Sequence, residues 1–234
     1  MLRELLTGLI AALEDPELVS ARIAIAAAGA FQPNISICPE AGKKFGPLTD
    51  VNWSITAGTG ADLPYIRGSG VFRSAQTVAS MTTCGVASDV SGIPPAVGML
   101  FIETGALGGS DSAQLYCGLH LGVPPNAITQ CPHGFYPTVS GVQHIITPPS
   151  GGGVVANCNT AIPSPTAGIR LALVRWDDTR LSWFKQSTPD GTRMTEVMLI
   201  AAPAISGLTL YPSCQLFSRG SGLACAKISL LSNA

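Results

Sequence analysis

The sequence predicts an all-β fold, an antiparallel β-sandwich preceded by one short α-helix. After Tyr65, apolar runs of four to eight residues alternate with clusters of Gly, Pro, Ser and Asn, which is typical of short strands joined by turns. No amphipathic helical pattern interrupts this series, so a fold of alternating strands and helices is disfavoured. A leucine-rich stripe with helical spacing precedes it and predicts the helix.

The predicted helix spans residues 2–15 and ends at Asp15-Pro16, because a residue before proline avoids helical backbone angles. An isolated helix of this length is only marginally stable, so its apolar stripe is expected to dock on another surface. We interpret residues 1–28 as an anchor or oligomerisation segment; docking on the chain's own sandwich is the alternative. The stripe consists of Leu2, Leu5, Leu6, Leu9, Ile10 and Leu13.

The rest of the chain divides into a connecting segment and the sandwich. Residues 29–64 are rich in Gly, Pro and Asn and are predicted to connect helix and sandwich, with short strands at 35–38 and 51–55. Residues 65–234 are predicted to form the sandwich domain. Its predicted strands are 77–84, 97–104, 112–121, 141–147, 154–157, 169–176, 181–185, 194–201 and 224–231.

The composition indicates a protein that assembles. Charged residues make up 12% of the chain and its mean hydropathy is +0.35, a combination that is poorly soluble unless part of the surface is covered. A homo-oligomer, taken as a trimer, is therefore expected. The net charge of -1 argues against nucleic-acid binding, and no apolar run approaches the roughly 20 residues of a membrane span. Glu4 and Glu14 interrupt the N-terminus, so no signal peptide is expected.

The seven cysteines are spread through the chain. Free cysteines are among the most buried residues, which favours small core side chains. The alternative is that the cysteines form disulfides. Because seven is an odd number, one cysteine would then pair between subunits or stay reduced. Without a signal peptide, disulfides would imply oxidation after release from the cell, as in a virus particle. The disulfide candidates are Cys38, Cys84, Cys117, Cys131, Cys158, Cys214 and Cys225.

The most informative segment, residues 168–185, reads as a β-hairpin. Leu171 and Leu173 lie on one face of the first strand, and Asp177-Asp178-Thr179 supply a tight turn. On the return strand, the alternation of apolar with polar positions predicts one face in the core and one in water. The alternating residues are Leu181, Trp183 and Lys185 against Arg180, Ser182 and Phe184.

This hairpin resembles the core hairpin of concanavalin A-like, laminin-G-like jelly rolls. In that family an apolar strand ending in Arg leads through an Asp/Gly turn to Leu-x-aromatic-aromatic. Arg175, the Asp177-Asp178 turn, Leu181 and Trp183-Phe184 take those places. The Asn-Gly that normally follows is replaced by Lys185-Gln186, so a longer turn is expected.

The resemblance implies the fold and narrows the function. Such domains occur as lectins, as glycan hydrolases and as structural modules of tailed phages. Combined with the helix, the missing signal peptide and the low charge, it leads to the expectation of a virion structural protein: a fibre, collar or capsid-decoration component located in the virion. A carbohydrate-binding, lectin-like adhesin is the alternative, for which Tyr136, Trp176 and Trp183 are the candidate glycan contacts. At least one of the two tryptophans is expected to lie in the core instead.

No enzymatic activity is expected. A glycoside hydrolase needs two carboxylates across a groove, whereas Glu103 and Glu196 have no acidic neighbours on their predicted strands. Gly-x-Ser-x-Gly is also missing. The three histidines are interpreted as structural, and Cys117-x2-His120 as a core cysteine with a histidine on the opposite strand face.

No cofactor is expected, with calcium as the one candidate. Calcium accompanies many lectins of this shape and is bound by loop oxygens. Turn formation is the preferred interpretation of the same residues. The calcium candidates are Asp111, Asn126, Asn157, Asp177 and Asp178.

Overall fold

The structure is a computed structural model of the full chain. It describes residues 43–57, 65–72, 84–88, 90–95, 97–104, 115–121, 133–138, 141–146, 153–158, 170–186, 194–216 and 222–233. The predicted helix with its leucine stripe lies outside the described residues, and so do Cys38 and Cys131.

Sixteen strands in the described ranges form two antiparallel sheets that pack as a sandwich, which confirms the predicted fold class. In the nine-stranded sheet, seven strands follow one another in the order β14-β13-β12-β7-β16-β5-β4, and β1 and β2 also pair with β16. Its strands are β1 (Lys43–Phe45), β2 (Thr49–Asp50), β4 (Tyr65–Arg67), β5 (Gly70–Phe72), β7 (Gly98–Thr104), β12 (Arg170–Arg175), β13 (Arg180–Gln186), β14 (Met194–Ala201) and β16 (Gly222–Asn233).

The seven-stranded sheet has the order β11-β10-β9-β8-β15-β6-β3. A 3-10 turn at Pro203–Ile205 leads from β14 toward β15. The strands of this sheet are β3 (Ser54–Ala57), β6 (Cys84–Ala87), β8 (Leu115–His120), β9 (His133–Thr138), β10 (Gly141–Ile146), β11 (Gly153–Cys158) and β15 (Tyr211–Leu216).

The predicted hairpin at residues 168–185 is present as β12 and β13. Leu173 lies opposite Trp183, and Arg175 opposite Leu181. Asp177 forms the turn: its Oδ1 accepts hydrogen bonds from the backbone N–H groups of Thr179 at 2.8 Å and of Arg180 at 2.9 Å. An aspartate that accepts from the backbone two and three residues on is the usual way in which Asp stabilises a turn.

The main core lies between the sheets. Because side chains alternate along a strand, core residues on one strand are spaced two apart, as Leu171 and Leu173 are on β12. The indole of Trp183 is fully buried there and donates its Nε1–H to the carbonyl oxygen of Gly134 in the other sheet, at 3.1 Å. Other members of this core are Val86, Leu100, Ile102, Cys117, Leu119, Phe135, Leu171, Leu173, Leu181, Cys214 and Leu216.

The outer face of the β12–β13 hairpin is not in water, so that part of the prediction is wrong. Ser182 is fully buried. A second apolar cluster covers this face, formed by Met99, Ala172, Val174 and Phe184. Phe45, Leu48, Trp176 and Met194 pack against it. The prediction assumed that a serine on this face lies in water. Ser182 is buried instead, because its hydroxyl has hydrogen-bond partners within the protein.

Strands β8 and β9 approach each other closely at two glycines. Gly118 and Gly134 are opposite in register. A Cβ atom on Gly118 would lie 2.1 Å from the carbonyl oxygen of His133, and one on Gly134 would lie 2.5 Å from that of Cys117. The side chain of Tyr116 lies against both glycines, within 2.7 Å of where either Cβ atom would be. Side chains at these positions are therefore excluded by backbone as well as by Tyr116.

The N-terminal limit of the sandwich differs from the predicted one. Strands β1 and β2 pair with β16, and β3 pairs with β6, so residues 43–57 contribute strands to both sheets. Strands β9 and β15 were not predicted, because Pro137 and Pro212 interrupt their apolar patterns. The remaining predicted strands after residue 97 are present within a few residues of the predicted bounds.

Among the described residues, no helix has the length and apolar character needed to cross a membrane.

Candidate functional site

The candidate site is a group of aromatic and polar side chains on the outer face of the nine-stranded sheet. We call it the Trp176 patch. Trp176 follows β12, Ser182 and Phe184 lie on β13, Glu196 lies on β14, and Phe45 ends β1. Ser182, Phe184 and Glu196 share the outer face, because Phe184 lies opposite Glu196 and alternates with the inward-pointing Trp183.

The aromatic rings of the patch pack as a row. The ring of Trp176 lies 6.5 Å from that of Phe45 and 6.3 Å from that of Phe184, both at steep angles. Such tilted arrangements are favourable for aromatic pairs. Phe184 is buried, whereas Trp176 and Phe45 are partly exposed. Trp176 therefore presents part of an indole to solvent on a support of two further rings.

A chain of hydrogen bonds fixes the polar edge of Trp176. Its Nε1–H donates to Oγ of Ser182 at 2.7 Å, and the Ser182 hydroxyl donates to Oε1 of Glu196 at 2.5 Å. Ser182 is buried, and Glu196 is exposed. A carboxylate has about four lone-pair sites, so Glu196 retains acceptor capacity beyond its bond with Ser182. Trp176 and Glu196 thus form a rigid pair of an aromatic surface and a hydrogen-bond acceptor.

The backbone under Trp176 is held by Arg175, whose side chain is fully buried. The guanidinium donates to the carbonyl oxygens of Ile93, Pro94, Ile205, Leu208, Asp177 and Asp178 at 2.6 to 3.3 Å. It also pairs with the carboxylate of Asp178 at 3.1 Å. Burial lowers the pKa of Arg175, and the nearby Asp178 and Asp177 oppose that shift. One arginine therefore ties the hairpin turn to two other loops.

Asp178 extends the same network to the loop after β14. Its carboxylate accepts hydrogen bonds from the Ser206 hydroxyl and from the backbone N–H of Gly207. The hydrogen bond from Ser206 is the main cause of the lowered pKa of Asp178, and the N–H of Thr179 is the main cause of the lowered pKa of Asp177. Both carboxylates are occupied in holding turns, as the preferred interpretation of these two calcium candidates predicts.

The predicted glycan contacts separate in the structure. Trp176 is partly exposed on the outer face. Trp183 is at 0% exposure in the core, so this side chain cannot stack on a sugar from solvent, and naming it as a contact was wrong. Periodicity could have distinguished the two, since Trp183 shares its strand face with Leu181. Tyr136 lies on β9, and its side chain is outside the described residues.

Glu196 is the site residue that the sequence prediction missed. The sequence of β14 does not single out Glu196, because its hydrogen-bond partner Ser182 lies on another strand, β13. Glu103, another carboxylate of the same sheet, lies on β7 and pairs with Arg170 on β12 at 3.2 Å.

The described cysteines are buried thiols. Cys117, Cys214 and Cys225 are not in disulfides. Cys84 and Cys158 are described by backbone only. Cys117 lies in the core and His120 has the opposite parity on β8, so they do not converge on a common ligand. Within the described ranges, no three His, Cys, Asp or Glu side chains come together as metal ligands.

Comparisons with known proteins support the architecture. No family model matches the chain, and no curated protein matches it. Among solved structures, it is similar to the exoplasmic/lumenal domain of VIP36 in its Ca2+/Man3GlcNAc-bound form, with a TM-score of 0.53 and 9% identity over 77% of this chain and 83% of that one. The fold is that of a concanavalin A-like jelly roll.

A second similar structure is the carbohydrate recognition domain of Emp47p. It has a TM-score of 0.51 and 10% identity, and the match covers 84% of this chain and 100% of the Emp47p domain. At these identities the likeness shows the fold alone. It gives no support to the phage context, and the expected location in a virion is contradicted, because the similar structures are domains such as the exoplasmic/lumenal part of VIP36. The expected homotrimer stays a prediction.

Proposed function

We propose that this protein is a non-enzymatic, carbohydrate-binding β-sandwich, and that the Trp176 patch is its sugar-binding surface. The observation that carries the proposal is the coupling of the partly exposed indole of Trp176, through Ser182, to the exposed carboxylate of Glu196. A sugar ring has an apolar face of C–H groups and a rim of hydroxyls. The indole face matches the first, and the carboxylate accepts hydrogen bonds from the second.

Rigidity of the patch supports the proposal. Trp176 is fixed by its indole hydrogen bond, by two neighbouring rings and by the Asp177 turn. A binding group that is already held in place loses little conformational freedom when it binds. This matters most for weakly bound ligands such as short sugars, because a large loss of conformational freedom would cancel their few contacts.

The fold likeness supports the class of ligand. The similar VIP36 structure is a Ca2+/Man3GlcNAc-bound form, and the similar Emp47p structure is a carbohydrate recognition domain. The contacts proposed for this chain use no metal ion. We therefore expect binding to persist in the presence of a chelator.

Hydrolysis is not part of the proposal. A glycosidase places a second carboxylate about 5 to 9.5 Å from the first. Glu196 is the one carboxylate that defines the patch, and the neighbouring Asp177 and Asp178 accept hydrogen bonds that hold turns. The hydroxyl of Ser182 is at 0% exposure, so a substrate does not reach it as a nucleophile. Bound sugar is expected to be released unchanged.

The carboxylate also sets the kind of sugar. Glu196 is exposed and has one described hydrogen bond, from Ser182. A negative group next to the stacking ring attracts hydroxyls and repels carboxylated or sulfated sugars. Neutral hexoses are thus the expected ligands.

A glycan array tests the proposal. The purified chain is applied to neutral and anionic oligosaccharides, followed by titration calorimetry on the strongest neutral ligand. We expect Trp176→Ala to weaken binding by roughly tenfold or more, as for other central aromatic contacts, and Glu196→Gln to weaken it less. Thr195→Ala is the matched control, because Thr195 is exposed, adjacent along β14 and on the opposite strand face.

Two results would contradict the proposal. One is the absence of binding to every neutral glycan by the folded chain. The other is binding that Trp176→Ala leaves as strong as in Thr195→Ala, which would place the sugar elsewhere on the molecule.

A further inference from the structure

Two cysteines lie directly opposite each other in the main core. Cys117 is on β8, Cys214 is on the neighbouring antiparallel strand β15, and their Cα atoms are register partners. Both side chains are buried between the sheets, at 1% and 0% exposure. Each is a thiol in the structure. Strand alternation therefore points both sulfur atoms into the same layer of the core.

Hydrogen bonding on the other side of β15 identifies the type of cross-strand pair. The carbonyl oxygen of Pro212 accepts from the backbone N–H of Ser88, which follows β6, at 3.0 Å. Along an antiparallel strand, the backbone polar groups of every second residue point to the same neighbour. Cys214 therefore directs its N–H and C=O toward β6, not toward β8.

The Cys117–Cys214 pair is consequently a non-hydrogen-bonded pair, the closer of the two kinds. Cα atoms in such a pair are about 4.5 Å apart. Disulfides occur at Cα separations of about 4.4 to 6.8 Å, so the strands can keep their positions when the sulfur atoms join.

We propose that Cys117 and Cys214 form a cross-strand disulfide when the chain folds in the presence of a small-molecule disulfide such as oxidised glutathione. This inference is independent of the proposed sugar binding. It uses residues of the core and of the sheet opposite to the Trp176 patch.

The reaction is two successive thiol–disulfide exchanges. The thiolate of one cysteine attacks oxidised glutathione, forms a mixed disulfide and releases one glutathione thiolate. The thiolate of the second cysteine attacks the protein sulfur of that mixed disulfide, forms the Cys117–Cys214 bond and releases a second glutathione. The two protein thiols lose two protons and two electrons, and oxidised glutathione is reduced to two thiols.

Burial restricts the time at which this exchange takes place. In the folded chain, a small disulfide does not reach side chains with 0% and 1% exposure. Oxidation is therefore expected during folding, before β8 and β15 are covered, and reduction of the native protein is expected to be slow for the same reason.

Cys225 provides an internal control. It lies opposite Glu103 on β7, so no cysteine faces it across that pair. It is buried beside Phe101, and burial raises the pKa of its thiol to about 12. Cys225 is expected to remain a thiol under the conditions that oxidise the other two.

Peptide mapping tests the proposal on the unaltered chain. The reduced, denatured protein is refolded in a glutathione redox buffer, its remaining thiols are alkylated under denaturing conditions, and the digest is read by mass spectrometry. We expect a linked pair of peptides containing Cys117 and Cys214, and alkylated Cys225. Alkylation of both Cys117 and Cys214 in the refolded protein, or linkage of either to another cysteine, would overturn the proposal.

Thermal unfolding gives a second measurement. A disulfide that closes a loop of about 100 residues should raise the melting temperature by roughly 5 to 15 °C. We expect refolding in excess reductant instead of the glutathione buffer to abolish this gain in the wild-type chain and in Cys225→Ala, but to leave the melting temperature of the double variant Cys117→Ala/Cys214→Ala unchanged. A loss of equal size in the double variant would overturn the assignment, and the peptide map stands if that variant does not fold.

Discussion

The indole nitrogen of Trp183, on β13, donates a hydrogen bond to the carbonyl oxygen of Gly134, on β9, across the interior of the sandwich at 3.1 Å. It joins the two sheets by a polar contact inside an apolar core. The ring of Trp183 also meets the imidazole of His133 edge-on, with centroids 6.1 Å apart. Gly134 itself cannot carry a side chain, because of the close approach of β8. Trp183 therefore forms its hydrogen bond at the position where Gly118 and Gly134 bring β8 and β9 close together.

Replacing Trp183 by phenylalanine tests this contact between the sheets. Trp183→Phe removes the donor and leaves space beside Gly134, so we expect a loss of about 2 to 4 kcal/mol in the free energy of unfolding. Trp53→Phe is the control, since its indole donates at 3.3 Å to Ser69 near the surface and should cost less. Urea denaturation measures both. Equal losses in the two variants would contradict the larger stabilising contribution predicted for the contact between the sheets.

Among the described charged residues, Arg175 is the one whose replacement should lower the free energy of unfolding most. Arg175→Met removes the donor from carbonyl oxygens in the hairpin turn and in two other loops, among them those of Ile93 and Ile205, and each such loss is costly in the interior. We expect the free energy of unfolding to fall by about 3 kcal/mol or more.

The control for Arg175 is the neighbouring Arg180. Arg180 is about half exposed and pairs with Asp177 at the surface, where an ion pair contributes about 0 to 1 kcal/mol. Denaturant unfolding of Arg180→Met should show a small change. If Arg175→Met were as stable as Arg180→Met, the stabilising role of the Arg175 hydrogen bonds would be contradicted.

His133 predicts a dependence of stability on pH. Burial lowers its pKa from 6.5 to about 4. Below pH 6.5 the unfolded chain binds a proton that the folded chain rejects, so stability falls as the pH decreases from about 6.5 toward 4, by up to roughly 3 kcal/mol. Stability is fully regained above pH 6.5.

The variant His133→Leu isolates this effect. It should unfold with a smaller difference between pH 7 and pH 4.5 than the wild type in urea titrations. Asp177 and Asp178 do not obscure the comparison, because their pKa values are lowered from 3.8, and their contributions are lost only below that pH. An unchanged pH dependence in His133→Leu would rule out His133 as its source.

The sequence predicts the sandwich well where local signals agree. The β12–β13 hairpin has alternating apolar residues and an aspartate turn, and both appear as expected. Strand β15 was missed because Pro212 stands within it, although its carbonyl oxygen still pairs with Ser88. The missing N–H of Pro212 faces Ser88, just beyond the end of β6, and the carbonyl oxygen of Ser88 lies 3.2 Å from Nε2 of His120 instead.

The candidate site was less predictable for a different reason. Trp176 and Trp183 have the same residue type and lie seven positions apart, yet one is partly exposed and the other is in the core. Alternation with Leu181 assigns Trp183 to the core face of β13, whereas Trp176 follows the end of β12, where alternation no longer assigns a face. Glu196 reaches the patch through strand pairing and its bond with Ser182, and long-range pairing has no local signal in the sequence.

The most direct test of sugar binding at the Trp176 patch is a two-dimensional NMR titration that follows the indole N–H signals of the three tryptophans. Assignment by Trp→Phe variants identifies Trp53, Trp176 and Trp183. On addition of the neutral sugar selected by the array, we predict that the Trp176 signal shifts in a saturable way, while the buried Trp183 signal stays in place. A Trp176 signal that does not move when the sugar is saturating would contradict the proposed site.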